Sequence, residues 1–87
     1  MDIDEESEGE LFDHCITSWE NIGNKPAERY NALRIMIKIS EKYPELIVEI
    51  NSLTNESYLQ NLADGTKRVI IKSIKKLNKK HNFEPLN

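Results

Sequence analysis

At 87 residues the chain is about half a usual domain, which leaves room for one small core and no separate catalytic domain beside it. Its 38% hydrophobic and 31% charged residues, with three Gly and three Pro, place it among globular sequences and exclude low-complexity and collagen-like classes. The net charge of −3 argues against unspecific binding to a polyanion, yet it averages over two opposed ends: Met1–Glu20 holds eight acidic residues and no basic one, and Lys67–Lys80 holds seven basic residues and no acidic one.

The N-terminal stretch 1–7 reads as a flexible acidic segment. After it, Leu11, Phe12, Cys15, Ile16, Trp19 and Ile22 recur at the three-and-four spacing of one helix face. Ser7 and Glu10 have the S-x-x-E spacing of a capping box, which predicts the helix start at Ser7. The surrounding carboxylates then suit the positive end of the helix dipole.

Gly23 and Asn24 punctuate the chain, and Pro26 stands where a helix can begin because its missing N–H is not needed in the first turn. A second helix runs from there to Tyr43. Its apolar set of Tyr30, Ala32, Leu33, Met36, Ile37 and Ile39 is broad enough for a helix packed on more than one side. Pro44 ends or restarts it, since the residue before proline disfavours the α region.

Leu46, Ile47, Ile50 and Leu53 mark a third helix, which either continues through Tyr58, Leu59 and Leu62 or breaks near Asn55, where weak helix formers cluster. Asp64-Gly65-Thr66 reads as a turn with an N-cap, and Ile70, Ile71, Ile74 and Leu77 form a fourth stripe reaching to about His81. No segment has a sustained period of two. The expected fold is therefore all-α, about four helices with short connections and antiparallel neighbours, over residues 8–81, with 82–87 as a tail. Leu33, Ile37, Ile50, Ile70 and Ile74 are expected deep in the core.

Two segments resemble HEAT-like repeats. They are Pro26-Ala27-Glu28-Arg29-Tyr30 through Ile39 with Lys42-Tyr43-Pro44-Glu45-Leu46, and Asp64-Gly65-Thr66-Lys67-Arg68 through Lys72, Lys75, Lys76 and Leu77. Glu8-Gly9-Glu10-Leu11-Phe12 with Cys15 and Trp19 also has a counterpart in a group of small bacterial HEAT-like proteins. The resemblance covers about residues 8–78. It implies an α-α superhelix fragment of two stacked helix pairs, the C-terminal end of a longer solenoid. Repeats of this kind bury their faces only against neighbours. An apolar patch is accordingly expected along the first helix, at Leu11, Phe12, Ile16 and Trp19, to be covered by the rest of a longer parent chain, by a protein partner or by self-association.

Catalytic and metal chemistry find little support in the sequence. Cys15 is the only cysteine, so an internal disulfide and an all-thiolate zinc site are excluded and a reducing, cytoplasmic setting fits. His14 and Cys15 are adjacent and point about 100° apart on a helix. Glu41, Glu45 and Glu49 interleave with Lys38 and Lys42 as a solvated face, and the glycines are isolated, so no phosphate loop exists. Met1 onward lacks the basic n-region and apolar core of a secretory signal, and no segment approaches the roughly 20 apolar residues that cross a bilayer, so a cytoplasmic protein is expected.

What stands out is the last helix. Arg68, Lys72, Lys75 and Lys79 recur at four, three and four, and Lys76 and Lys80 widen the stripe. Such a stripe can follow a phosphate backbone, and HEAT-like repeats of some DNA-repair glycosylases cradle DNA in this way. Against it stand the net charge and the ordinary preference of cations for helix C-termini. The expected function is a non-catalytic protein-interaction or scaffolding module without cofactor or metal; the alternative is a nucleic-acid-binding end module of a DNA-repair-like HEAT-repeat protein.

Overall fold

A computed structural model describes residues 5–83. It is all-α, with no strand among the described residues. Four α-helices follow one another: α1 (Glu5–Glu20), α2 (Pro26–Lys42), α3 (Ile47–Ser52) and α4 (Asp64–Lys80). Short 3-10 turns at Pro44–Leu46 and Glu56–Leu59 flank α3. Helix α1 packs on α2, α2 on α3 and α3 on α4.

Two polar clasps show that α1 and α2 run antiparallel. Near the start of α1, Glu8 is 8% exposed and accepts hydrogen bonds from Lys42 Nζ at 2.9 Å and Tyr43 Oη at 3.0 Å, at the far end of α2. At the other end of α1, the Trp19 carbonyl accepts from Arg29 Nε at 2.9 Å, at the beginning of α2. Because Ser7 lies inside α1, the capping box expected to open the helix at that residue is not formed at a helix start. Acid-rich residues suit this first turn without it, and one of them, Glu8, also pairs with Lys42 of α2.

Pro26 occupies the first turn of α2 as expected, behind Lys25 in an extended conformation. The helix stops at Lys42 because Tyr43, held at φ −126° and ψ 83°, precedes Pro44. In the third helical region the break near Asn55 is realised. Thr54 Oγ1 donates back to Ile50 O at 2.9 Å, and Asn55 Oδ1 accepts from Ser57 N at 2.9 Å, so side chains compete with the helix for its backbone groups.

Asp64, Gly65 and Thr66, read from the sequence as a turn, instead make the first turn of α4, with Ala63 as the cap and no side-chain capping bond. Lys67 N to Ala63 O at 2.9 Å closes that turn, and the carboxylate of Asp64 complements the helix dipole. The far end closes with a Schellman pattern: Phe83 N donates to Asn78 O at 2.8 Å and Asn82 N to Lys79 O at 3.3 Å, with Asn82 at φ 54°. Phe83, placed in the tail from sequence, thereby packs against the core.

Leu33, Ile50, Ile70 and Ile74 are buried as expected. Ile37 differs: it is half-buried and packs at the edge of the core, because α2 presents its row of Ala32, Leu33, Met36 and Ile39 inward and turns Ile37 toward α4. The apolar patch expected on α1 is also overturned. Phe12 and Trp19 are 3% and 0% exposed, and Leu11 and Ile16 pack half-buried beside them. The surplus row is covered within the chain, where the irregular segment after α3 brings Leu53, Leu59 and Leu62 into the same core.

Candidate functional site

Helix α4 commits one row, Ile70, Ile74 and Leu77 with Asn78, to the core and leaves its other apolar residues, Val69 and Ile71, exposed. The helical period then forces Arg68, Lys72, Lys75 and Lys79 outward together, with Lys76 and Lys80 beside them. All six are exposed. Lys80 reaches Glu41 of α2 at 3.6 Å; no ion pair ties Arg68, Lys72, Lys75, Lys76 or Lys79 to another described residue.

Between α2 and α4 lies an open groove of about 610 Å³ lined by Tyr30, Arg34, Ile35, Ile37, Lys38 and Ser73, among others. It runs into a second hollow of about 290 Å³ that shares Ile37, Glu41 and Ser73 and adds Lys76 and Lys80. Ile35 is 37% exposed on α2, and Val69 is 48% exposed on α4, one turn before Ser73 on the same row. Arg34 stacks its guanidinium 5.9 Å from the Tyr30 ring centre. The groove thus has an apolar floor between cationic edges.

Sequence reading found the α4 stripe and missed this groove. Its signal was present in the run Ile35-Met36-Ile37, where only Met36 belongs to the buried row, but the inter-helix gap that joins Ile35 to Ser73 and Lys76 exists only in the packed chain.

Sequence reading also missed Arg29. It is completely buried and has no carboxylate partner among the described residues; its guanidinium donates from Nε to Trp19 O, from Nη1 to Gln60 O at 3.0 Å and from Nη2 to Tyr58 O. It lies 4.6 Å from the centre of the Trp19 ring, and Trp19 Nε1 in turn donates to Leu53 O at 2.6 Å. Burial lowers the pKa of Arg29. Carbonyl oxygens and an aromatic face hold the cation, and the Trp19 carbonyl lies at the negative end of the α1 dipole. Buried and bonded from each of its three nitrogens to a backbone carbonyl, Arg29 is a structural clasp.

The other polar candidates lie apart. Cys15 is 3% exposed and burial pushes its thiol pKa up, which disfavours the nucleophilic thiolate. His14 is exposed on α1, His81 caps the end of α4, and no group of three His, Cys, Asp or Glu among the described residues could hold a metal ion. Glu41, Glu45 and Glu49 are exposed and, with the helix interrupted at Tyr43–Pro44, do not form one helical row. No helix among the described residues is long and apolar enough to cross a membrane. Comparisons with protein-family models, curated proteins and solved structures give no match, so the chain's own surface is what bears on its role.

Proposed function

We propose that this chain is a non-catalytic protein-interaction or scaffolding module of HEAT-like helix pairs whose binding surface is the basic side of α4. One observation carries the reading: five exposed cations, Arg68, Lys72, Lys75, Lys76 and Lys79, share one helix without an ion-pair partner among the described residues. Grouped like charges repel one another, and an acidic partner relieves that repulsion while gaining steered association. The antiparallel α1–α2 pair supports a HEAT-like helix pair, and the reduced, buried Cys15 fits a cytoplasmic setting.

A protein partner is favoured over nucleic acid because Glu6, Glu10, Asp13 and Glu20 are exposed on α1 and the chain is net negative, so a long polyanion meets repulsion as well as attraction. Titrating a labelled polyglutamate peptide and a labelled DNA duplex against the protein tests this. The peptide should bind, and Lys72→Glu with Lys75→Glu should abolish binding while leaving the circular dichroism spectrum intact. Duplex binding that outcompetes the peptide, with log affinity falling linearly in log salt, would transfer the role to nucleic acid.

A further inference from the structure

The α2/α4 groove narrows the partner's chemistry; the inference rests on the reading of α4 as a protein-docking surface and deepens it. We infer that the groove receives an amphipathic helix of an acidic protein partner, its apolar residues on Ile35 and Ile37 and its carboxylates against Arg34, Lys38 and Lys76.

Three features converge on this occupant. The first is length. Tyr30 to Glu41 on α2 is eleven residues apart, which at 1.5 Å per residue gives a trough of roughly 17 Å, about three turns of a docked helix. Three turns place anchors at i, i+3 or i+4, and i+7, the pattern by which helices bind in grooves.

The second is the floor. Among the described residues four large hydrophobic side chains are exposed, Ile35, Val48, Val69 and Ile71; of these Ile35 lines the groove, together with half-buried Ile37. Covering them removes apolar surface from water, which charge alone cannot do. The third is the rim. Among the described residues Glu41 is the one carboxylate lining the groove, and Lys80 already lies 3.6 Å from it, so Arg34, Lys38 and Lys76 have no ion-pair partner there.

These features also distinguish an outside partner from the α1 face of a second copy. Helix α1 offers the exposed carboxylates Glu6, Glu10 and Asp13, yet none of the large exposed hydrophobic residues lies on it. It has charge for the rim and no anchors for the floor.

The test uses the whole chain and two fluorescent synthetic peptides of about 18 residues, long enough for the three turns with ends to spare. One has leucines at the i, i+3/i+4 and i+7 positions with glutamates on the flanks; the other has the same composition with the leucines scattered around the helix. The ordered peptide should bind at least about tenfold more tightly than the scattered one, and Ile35→Glu and Lys76→Glu should each weaken it by about tenfold or more. Val48→Glu, on exposed α3 surface, should leave binding unchanged, and thermal melts establish that each variant is folded. Amide chemical-shift changes in the unmutated protein should cluster at Arg34, Ile35, Lys38, Ser73 and Lys76. Equal binding of both peptides, or shifts confined to Arg68, Lys72, Lys75 and Lys79, would overturn the groove while leaving α4 as a docking face. Absence of saturable binding by these peptides overturns the groove, and absence of polyglutamate binding as well overturns the function proposed above.

Discussion

Two cationic regions of this molecule share a residue chemistry and differ in everything around it. At the Trp19–Arg29 corner the cation is wholly buried, and its nitrogens are committed to the carbonyls of Trp19, Tyr58 and Gln60. On α4 and along the α2 side of the groove, most of the cations stand in solvent with no ion-pair partner among the described residues. The first region is closed to a ligand by burial, and the second lies open to one. Burial with satisfied donors marks a structural cation, whereas exposure beside uncovered apolar surface marks one available for recognition.

The largest effect that can break this contrast is at the corner. Trp19→Ala removes a fully buried ring and the donor to Leu53 O, and should cost about 3–5 kcal/mol, enough to unfold much of a small domain at ambient temperature. Urea denaturation followed by circular dichroism measures it; a loss below about 1 kcal/mol would show that the irregular segment 53–60 contributes little to stability.

Arg29→Met, which keeps the stem and removes the fork, should cost about 2–3 kcal/mol because three carbonyls lose charged donors. Arg29→Lys should fail to restore it, since one ammonium cannot reach three acceptors in the planar geometry of a guanidinium. Full rescue by lysine in the same denaturation experiment would mean that charge alone matters there.

A smaller effect belongs to the amide pair that joins α3 to α4. Asn51 Nδ2 donates to Asn78 Oδ1 at 2.8 Å and Asn78 Nδ2 to Asn51 Oδ1 at 3.0 Å. Either asparagine replaced by Ala should cost about 1–3 kcal/mol by leaving its partner unpaired, and a double-mutant cycle should show the two losses to be non-additive.

Cys15 supplies the pH-dependent test. Its folded pKa is raised by burial, so the folded chain holds the thiol proton to higher pH than the unfolded chain does. The associated stability is present below the unfolded thiol pKa and is lost as pH rises toward and through the folded one. Alkaline destabilisation should therefore be shallower in Cys15→Ala than in the parent, after allowing for the packing lost at all pH values. Thiol labelling of the folded protein should be slow and accelerate in urea; rapid labelling in native buffer would show that the α1 core face opens readily.

The smallest stability effect is expected in the second region. Lys72→Glu with Lys75→Glu should change folding stability by less than about 0.5 kcal/mol per site while removing acidic-peptide binding. A thermal melt displaced as far as that of Arg29→Met would erase the contrast and make the stripe structural.

Chain-local physics accounts for what was legible in the sequence. Apolar spacing of three and four identified the helical regions and most of the core, from Leu33 and Ile50 to Ile70 and Ile74, because burial of one helix face is written as a period in the residues themselves. The exposed stripe of α4 was legible for the same reason: once its apolar row is committed inward, the period sends the lysines out. Pro26 and Pro44 located their helix boundaries through fixed local geometry.

The capping box at Ser7 and the turn at Asp64-Gly65-Thr66 are not realised, because such motifs describe a local option and both stretches lie inside helices. Whether Phe12 and Trp19 would face solvent could not be counted from α1 alone, since the core they join also takes Leu53, Leu59 and Leu62 from a segment with no regular period, and Trp19 bonds Leu53 O there. Likewise Arg29 carries no sequence mark that separates it from Arg34, one and a half turns later on the same helix. Composition and period determined which residues could be inside and which helix would be basic. Tertiary packing alone decided which arginine is a clasp and where a groove opens, because both depend on carbonyls and side chains brought together from about thirty residues apart.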